Sequence, residues 1–102
     1  LKGLSCHLGS QIRDLSPILD SLKALLTVTE SLNAQGFQLT TLDIGGGVGI
    51  DYSSGDEQAE YEMMASFGAN IKAQLKNFPG RLLLEPGRWL VGRSGILCAQ
   101  VE

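Results

Sequence analysis

Leu42-Asp43-Ile44-Gly45-Gly46-Gly47-Val48-Gly49-Ile50-Asp51-Tyr52 joins a short buried strand, Thr40 to Ile44, to a loop built on three consecutive glycines. With no Cβ in the turn, the backbone is free to take positive φ and to aim several N–H groups at one set of oxygens. The stretch therefore reads as a phosphate cradle. A bare glycine run also reads as a flexible turn. Its position favours the cradle, because α/β sheets keep their ligands at the loops that follow the carboxyl ends of strands. A Rossmann dinucleotide site does not fit. G-x-G-x-x-G lacks its last glycine whether counted from Gly45 or from Gly47, and Tyr52-Ser53-Ser54-Gly55-Asp56 keeps the next helix away from the glycines.

Upstream of the glycines, Lys2 to Leu8 alternates, with Leu4, Cys6 and Leu8 on one side, and runs into the polar loop His7-Leu8-Gly9-Ser10-Gln11. Ser16-Pro17 predicts a helix start, with Ser16 as N-cap and Pro17 at the first helical position. Ile18, Leu22, Leu25, Thr29 and Leu32 follow at helical spacing, and Gly36 closes the helix. Phe37 to Ile44 is the second strand. Downstream, Asp56-Glu57 places negative charge at the start of a second helix, whose expected buried stripe is Tyr61, Met64, Ala65, Gly68, Ile71 and Leu75. Pro79-Gly80 ends it. Arg81 to Glu85 follows as a strand in which Leu82-Leu83-Leu84 reads as buried on both faces, and Gly95 to Val101 reads as a last strand.

Strands separated by full-length helices must be parallel, and their crossovers right-handed. The expected fold is α/β: a β-α-β-α-β segment of a (β/α)8 barrel, whose units repeat at about forty residues, followed by the entry strand of a second, β-rich domain. The expected boundary puts residues 1–94 in the barrel and 95–102 in the second domain. His7 with Ser10, the glycine loop, and Glu85 with Arg88 all fall at carboxyl ends of strands, the face where such a barrel keeps its active site.

The 102 residues suit one small domain, and the chain reads as a piece of something larger. A net charge of −3 without a basic cluster argues against a nucleic-acid partner. No apolar run is long enough to suggest a membrane span. Cys6 and Cys98, far apart in apolar patterns, read as small buried hydrophobes in a reducing compartment, which points to the cytoplasm. One histidine and two distant cysteines form no zinc pattern.

Three segments, Gly3-Leu4-Ser5-Cys6-His7-Leu8-Gly9-Ser10-Gln11-Ile12, Leu42-Asp43-Ile44-Gly45-Gly46-Gly47 and Glu85-Pro86-Gly87-Arg88, resemble signatures of the fold-type III pyridoxal-phosphate decarboxylases, the alanine-racemase-like barrels. The His-x-Gly-Ser-Gln form and the Gly-Ile-x-Tyr after the glycines are more similar to the diaminopimelate branch than to the ornithine and arginine branch. The resemblance implies a lyase of lysine biosynthesis that uses pyridoxal 5'-phosphate on a small amino-acid substrate, as a homodimer when full length. The alternatives are a sister decarboxylase acting on ornithine, arginine or carboxynorspermidine, or a non-catalytic relative that keeps the pocket as a binding protein.

By resemblance, His7 stacks on the cofactor ring, while Ser10, Gly45, Gly46 and Gly47 form the phosphate site. Glu85 pairs with the pyridine nitrogen, and Arg88 meets the substrate carboxylate near the cofactor phosphate. Pro86 and Gly87 belong to the same cofactor-binding segment. His7 and Glu85 are the candidate catalytic residues. Each also has a duller reading, as a structural histidine, a strand stop before proline, and, for Arg88, a solvated charge or salt bridge. The family's Schiff-base lysine lies upstream, and none of Lys2, Lys23, Lys72 or Lys76 sits in a matching motif. These residues alone are therefore expected to be inactive.

Overall fold

The computed structural model describes residues 1–101. Three short strands, β1 (Gly3–Ser5), β2 (Thr41–Asp43) and β3 (Arg81–Leu83), alternate with two long helices, α1 (Ser16–Ala34) and α2 (Glu57–Gln74). The sheet is wholly parallel in the order β1-β2-β3. Because spatial order follows chain order, both right-handed crossovers pass on one side of the sheet, and both helices lie there. The register aligns Leu4, Leu42 and Leu82 in one row and Ser5, Asp43 and Leu83 in the next. The leucine row faces the helices. Leu42 and Ile44 join Leu15, Ile18, Leu22, Val48, Phe67 and Ile71 in the core. Complete burial of a side chain such as Leu22 or Leu42 contributes roughly 1.5–3 kcal/mol.

α1 begins and ends where the sequence places it, but the cap differs. Pro17 occupies the first turn, and Ser16 makes no capping bond of its own. Asp14 does that work: its Oδ1 accepts from the Ser16 N–H (2.9 Å) and from Ser16 Oγ (2.6 Å). Those two bonds, the hydroxyl's first, hold the Asp14 carboxyl below its usual range. Beyond the helix, Gly36 takes a φ of 94°, the left-handed stop expected of it. Asp56 caps α2 by accepting from the Ala59 N–H at 2.9 Å.

Four expectations are corrected. The buried side of α2 runs through Glu60, Phe67 and Ile71, with Met63, Met64 and Leu75 at its margins, whereas Tyr61 is 69% exposed and Ala65 and Gly68 are exposed. Phe67 turns inward, and six residues place Tyr61 roughly 120° away from it around the helix. Leu83 and Leu84 are exposed and Leu82 half-buried, because β3 is an edge of this sheet and among the described residues no strand lies beyond it. Residues 95–101 form no strand: with no partner in register, Ile96 and Leu97 stand 91% and 97% exposed. Glu102 lies outside the described residues. Cys98 is consequently exposed, and Cys6 only half-buried.

A short helix absent from the sequence reading, α3 (Gly87–Val91), follows the third strand. Five residues are too few to show a helical period. Among the described residues no helix is long and apolar enough to cross a membrane.

Candidate active site

Two residues beyond the Ser5, Asp43 and Leu83 row, the same strand parity leads to His7, Gly45 and Glu85. Backbone bonds carry the alignment past the strand ends: Cys6 N–H donates to the Asp43 carbonyl (2.8 Å) and Glu85 N–H to the Gly45 carbonyl (2.7 Å). The His7 imidazole and the Glu85 backbone thus flank Gly45 at three adjoining strand ends. Glycine is required between them. A Cβ on Gly45 would lie 2.7 Å from His7 Nδ1 and 2.9 Å from the Cys6 carbonyl oxygen, and its φ of 67° is left-handed.

The other glycines let the loops converge. A Cβ on Gly46 would lie 2.0 Å from the Glu85 carbonyl oxygen, and one on Gly47 would lie 2.0 Å from that of Gly9. Gly46 needs no positive φ; its constraint is the close approach of the third loop. The loop's N–H groups are partly engaged: Gly45 donates to Asp43 Oδ1 at 2.7 Å, and Gly46 to His7 Nδ1 at a long 3.3 Å. Asp43 therefore supports the turn. A bond of 3.3 Å is readily exchanged for a better acceptor, so the Gly46 N–H is available to an anion.

Arg88, in the first turn of α3, lies 77 residues from Gln11 in the chain and donates from Nη1 to Gln11 Oε1 at 2.7 Å. Gln11 Nε2 donates to the Ile50 carbonyl at 2.7 Å. Ile12 is bonded to the glycine loop both ways, its N–H to the Gly47 carbonyl (2.8 Å) and its carbonyl from the Gly49 N–H (2.9 Å). Ser10 lies in the same first loop, exposed. Glu85 is exposed and makes no ion pair among the described residues.

Beneath the rim lies a charged network that sequence reasoning missed. Buried Glu60 on α2 accepts from the Asp51 N–H through Oε1, and its Oε2 pairs with Arg93 Nη2 at 3.0 Å. The same guanidinium nitrogen donates to the Asp51 carbonyl at 2.8 Å. Asp51 Oδ2 pairs with Arg13 at 3.1 Å, and its Oδ1 accepts from Ser53 Oγ, Ser53 N–H and Ser54 N–H. The only local signal was Asp51-Tyr52-Ser53, a pattern suited to an Asx turn. The Ser53 hydroxyl, then the Ser53 N–H, Arg13 and the Ser54 N–H, hold the Asp51 carboxyl far below the ordinary range.

A lowered folded pKa adds stability above the unfolded value of about 3.9, and this is lost as pH falls through the folded pKa. Asp51→Asn in the full-length protein is expected to lower the melting temperature at pH 7 and to flatten its decline below about pH 4. An acid limb identical to wild type would exclude Asp51 as a contributor.

Taken together, the rim offers an imidazole face, an unpaired carboxylate able to hold a protonated ring nitrogen, a guanidinium and exchangeable loop N–H groups. That donor set suits a phosphorylated heteroaromatic ring and a carboxylate substrate.

Residues 1–92 match the family described as pyridoxal-dependent decarboxylase, pyridoxal binding domain. The chain is 40% identical over 100 residues to the diaminopimelate decarboxylase of Aquifex aeolicus, covering 98% of this chain and 23% of that protein. Diaminopimelate decarboxylase from Helicobacter pylori complexed with L-lysine superposes on 85% of this chain and 21% of its own at a TM-score of 0.69 and 29% identity. Lysine/ornithine decarboxylase from Vibrio vulnificus complexed with cadaverine superposes on 88% and 24%, at 0.73 and 32%. The chain thus spans about a quarter of the length of these relatives, and it belongs to the pyridoxal-dependent decarboxylases, its residues 1–92 falling in their pyridoxal-binding domain.

Proposed function

We propose that these residues are a central segment of the (β/α)8 barrel of a cytoplasmic, homodimeric diaminopimelate decarboxylase, which uses pyridoxal 5'-phosphate to release CO₂ from meso-2,6-diaminopimelate and form L-lysine. The observation that carries this reading is the row His7, Gly45 and Glu85 across three parallel strand ends, with Arg88 held beside it. Likeness to diaminopimelate decarboxylases over nearly the whole chain supports the substrate. Residues 1–94 belong to the barrel in this reading, and 95–102 lead into a second domain.

When bound, the pyridine ring supplies a sink for the electron pair left by departing CO₂. Around it the chain's own groups divide the work. His7 packs its imidazole on the ring plane. Ser10 and the N–H groups of Gly46 and Gly47 hold the phosphate, Pro86 and Gly87 bring the third loop against it, and Glu85 holds the proton on the ring nitrogen. Arg88 docks the substrate carboxylate. Lys2, Lys23, Lys72 and Lys76 lie on β1's amino-terminal side, on the helices or just past them, so the covalent lysine must come from elsewhere in the full-length protein.

The test is CO₂ release by the full-length protein from a panel of diamino acids, with and without added pyridoxal phosphate. Preference for meso-diaminopimelate supports the proposal. Preference for lysine or ornithine would favour the sister reading suggested by the likeness to lysine/ornithine decarboxylase. Arg88→Lys is expected to raise KM for diaminopimelate about tenfold or more while leaving the cofactor absorbance unchanged, because an ammonium cannot reproduce the guanidinium fork. Wild-type kinetics would remove Arg88 from the site.

A further inference from the structure

Gln11 holds a backbone conformation that its side chain does not favour. Its φ of 59° makes it the only non-glycine residue in the left-handed region among the described residues. Such a residue persists where its surroundings over-determine it, and these do. Ile12 is bonded in both directions to the glycine loop, and a Cβ on Gly49 would lie 2.8 Å from the Gln11 carbonyl carbon. The carboxamide is then used at both ends, Oε1 by Arg88 and Nε2 by the Ile50 carbonyl, each at 2.7 Å. Its orientation is unambiguous: a flipped amide would set donor against donor at Arg88 and acceptor against acceptor at Ile50.

We propose that Gln11 is the positioning residue for Arg88, fixing the guanidinium against the glycine loop without neutralising it, so that its free edge docks the substrate carboxylate. This rests on the assignment of Arg88 to that carboxylate. A neutral amide suits the task for a chemical reason. Glu at this position would also accept from Arg88, but it would cancel the charge that attracts the substrate and would face the Ile50 carbonyl with a like partial charge. Occupying Nη1 leaves the Nε and Nη2 edge, which matches two carboxylate oxygens. Holding that edge in place before binding removes an ordering cost from the encounter.

Gln11→Gly in the full-length holoenzyme separates positioning from folding, because glycine accepts the left-handed φ while losing both amide bonds. KM for diaminopimelate should rise about tenfold, with kcat changed less than threefold, and the cofactor titration and melting temperature should stay near wild type. Gln11→Asn tolerates the backbone but is one methylene short, and should raise KM by less; it also serves if the glycine variant fails to fold. Gln11→Glu should raise KM at least as much as Gln11→Gly, an outcome that a merely structural role does not produce. In an Arg88→Ala background, Gln11→Gly should add less than twofold. A wild-type KM in Gln11→Gly together with Gln11→Glu, or an undiminished effect in the Arg88→Ala background, overturns the positioning role alone. A wild-type KM in Arg88→Ala overturns the assignment of Arg88 as well.

Discussion

Glu85→Gln in the full-length protein is expected to lower kcat by about tenfold to a thousandfold, the range of single electrostatic contributions to a transition state, with a smaller change in cofactor affinity. The substitution keeps the shape of the side chain and removes its charge. Glu85 stands at the end of the His7, Gly45 and Glu85 row, its backbone tied to Gly45 at 2.7 Å and its carboxylate in no ion pair among the described residues. An adjacent negative charge favours the protonated form of a ring nitrogen, and a neutral amide does not. Single-turnover decarboxylation, measured with the nitrogen-15 shift of labelled cofactor, checks both halves. A mutant that turns over at the wild-type rate, or a wild-type nitrogen unprotonated at neutral pH, would return Glu85 to the role of a strand-end residue.

Gly46→Ala is expected to raise the dissociation constant for pyridoxal phosphate roughly fivefold to 150-fold, since overpacking at about 1–3 kcal/mol converts to that range. The new methyl would lie 2.0 Å from the Glu85 carbonyl oxygen, so the second and third loops must separate. That motion also shifts the Glu85 carboxylate, and kcat should fall with the affinity. Gly68→Ala is the control. A Cβ there meets nothing within 4 Å, and removing a helix-interior glycine stabilises by roughly 0.5–1 kcal/mol. Absorbance titration of the two apo-enzymes decides: equal affinity in Gly46→Ala and Gly68→Ala would mean that the glycines are not needed for the convergence of the loops.

Much of this was legible locally. Gly36 stops α1, Pro17 starts it, and Asp56 starts α2, because each acts through its own φ, its missing N–H or a side chain reaching three residues ahead. The same holds for the alternation that puts Asp43 and Gly45 on one side of β2, and for the parallel order forced by long crossovers. The resemblance of three short segments was enough to identify the family. What failed was burial. Tyr61, Leu83, Leu84 and Cys98 are apolar enough to be core residues, and whether they are depends on what lies opposite them.

The amino-acid sequence alone determined the order of the first five elements, the parallel sheet and the three loops that bear the candidate site, because propensity, capping and periodicity act between residues within a few positions of one another. Only the tertiary structure decided which of those residues meet. Contacts just past the strand ends put His7 and the Glu85 backbone on either side of Gly45; close approach of Glu85, not conformational freedom, demands glycine at position 46; and Phe67, not Tyr61, turns to the core. The bonds from Arg88 to Gln11, from Gln11 to Ile50 and from Arg93 to Glu60 join residues 77, 39 and 33 apart. Such pairings depend on the stacking of whole strands and helices, and no pattern confined to a short window encodes them.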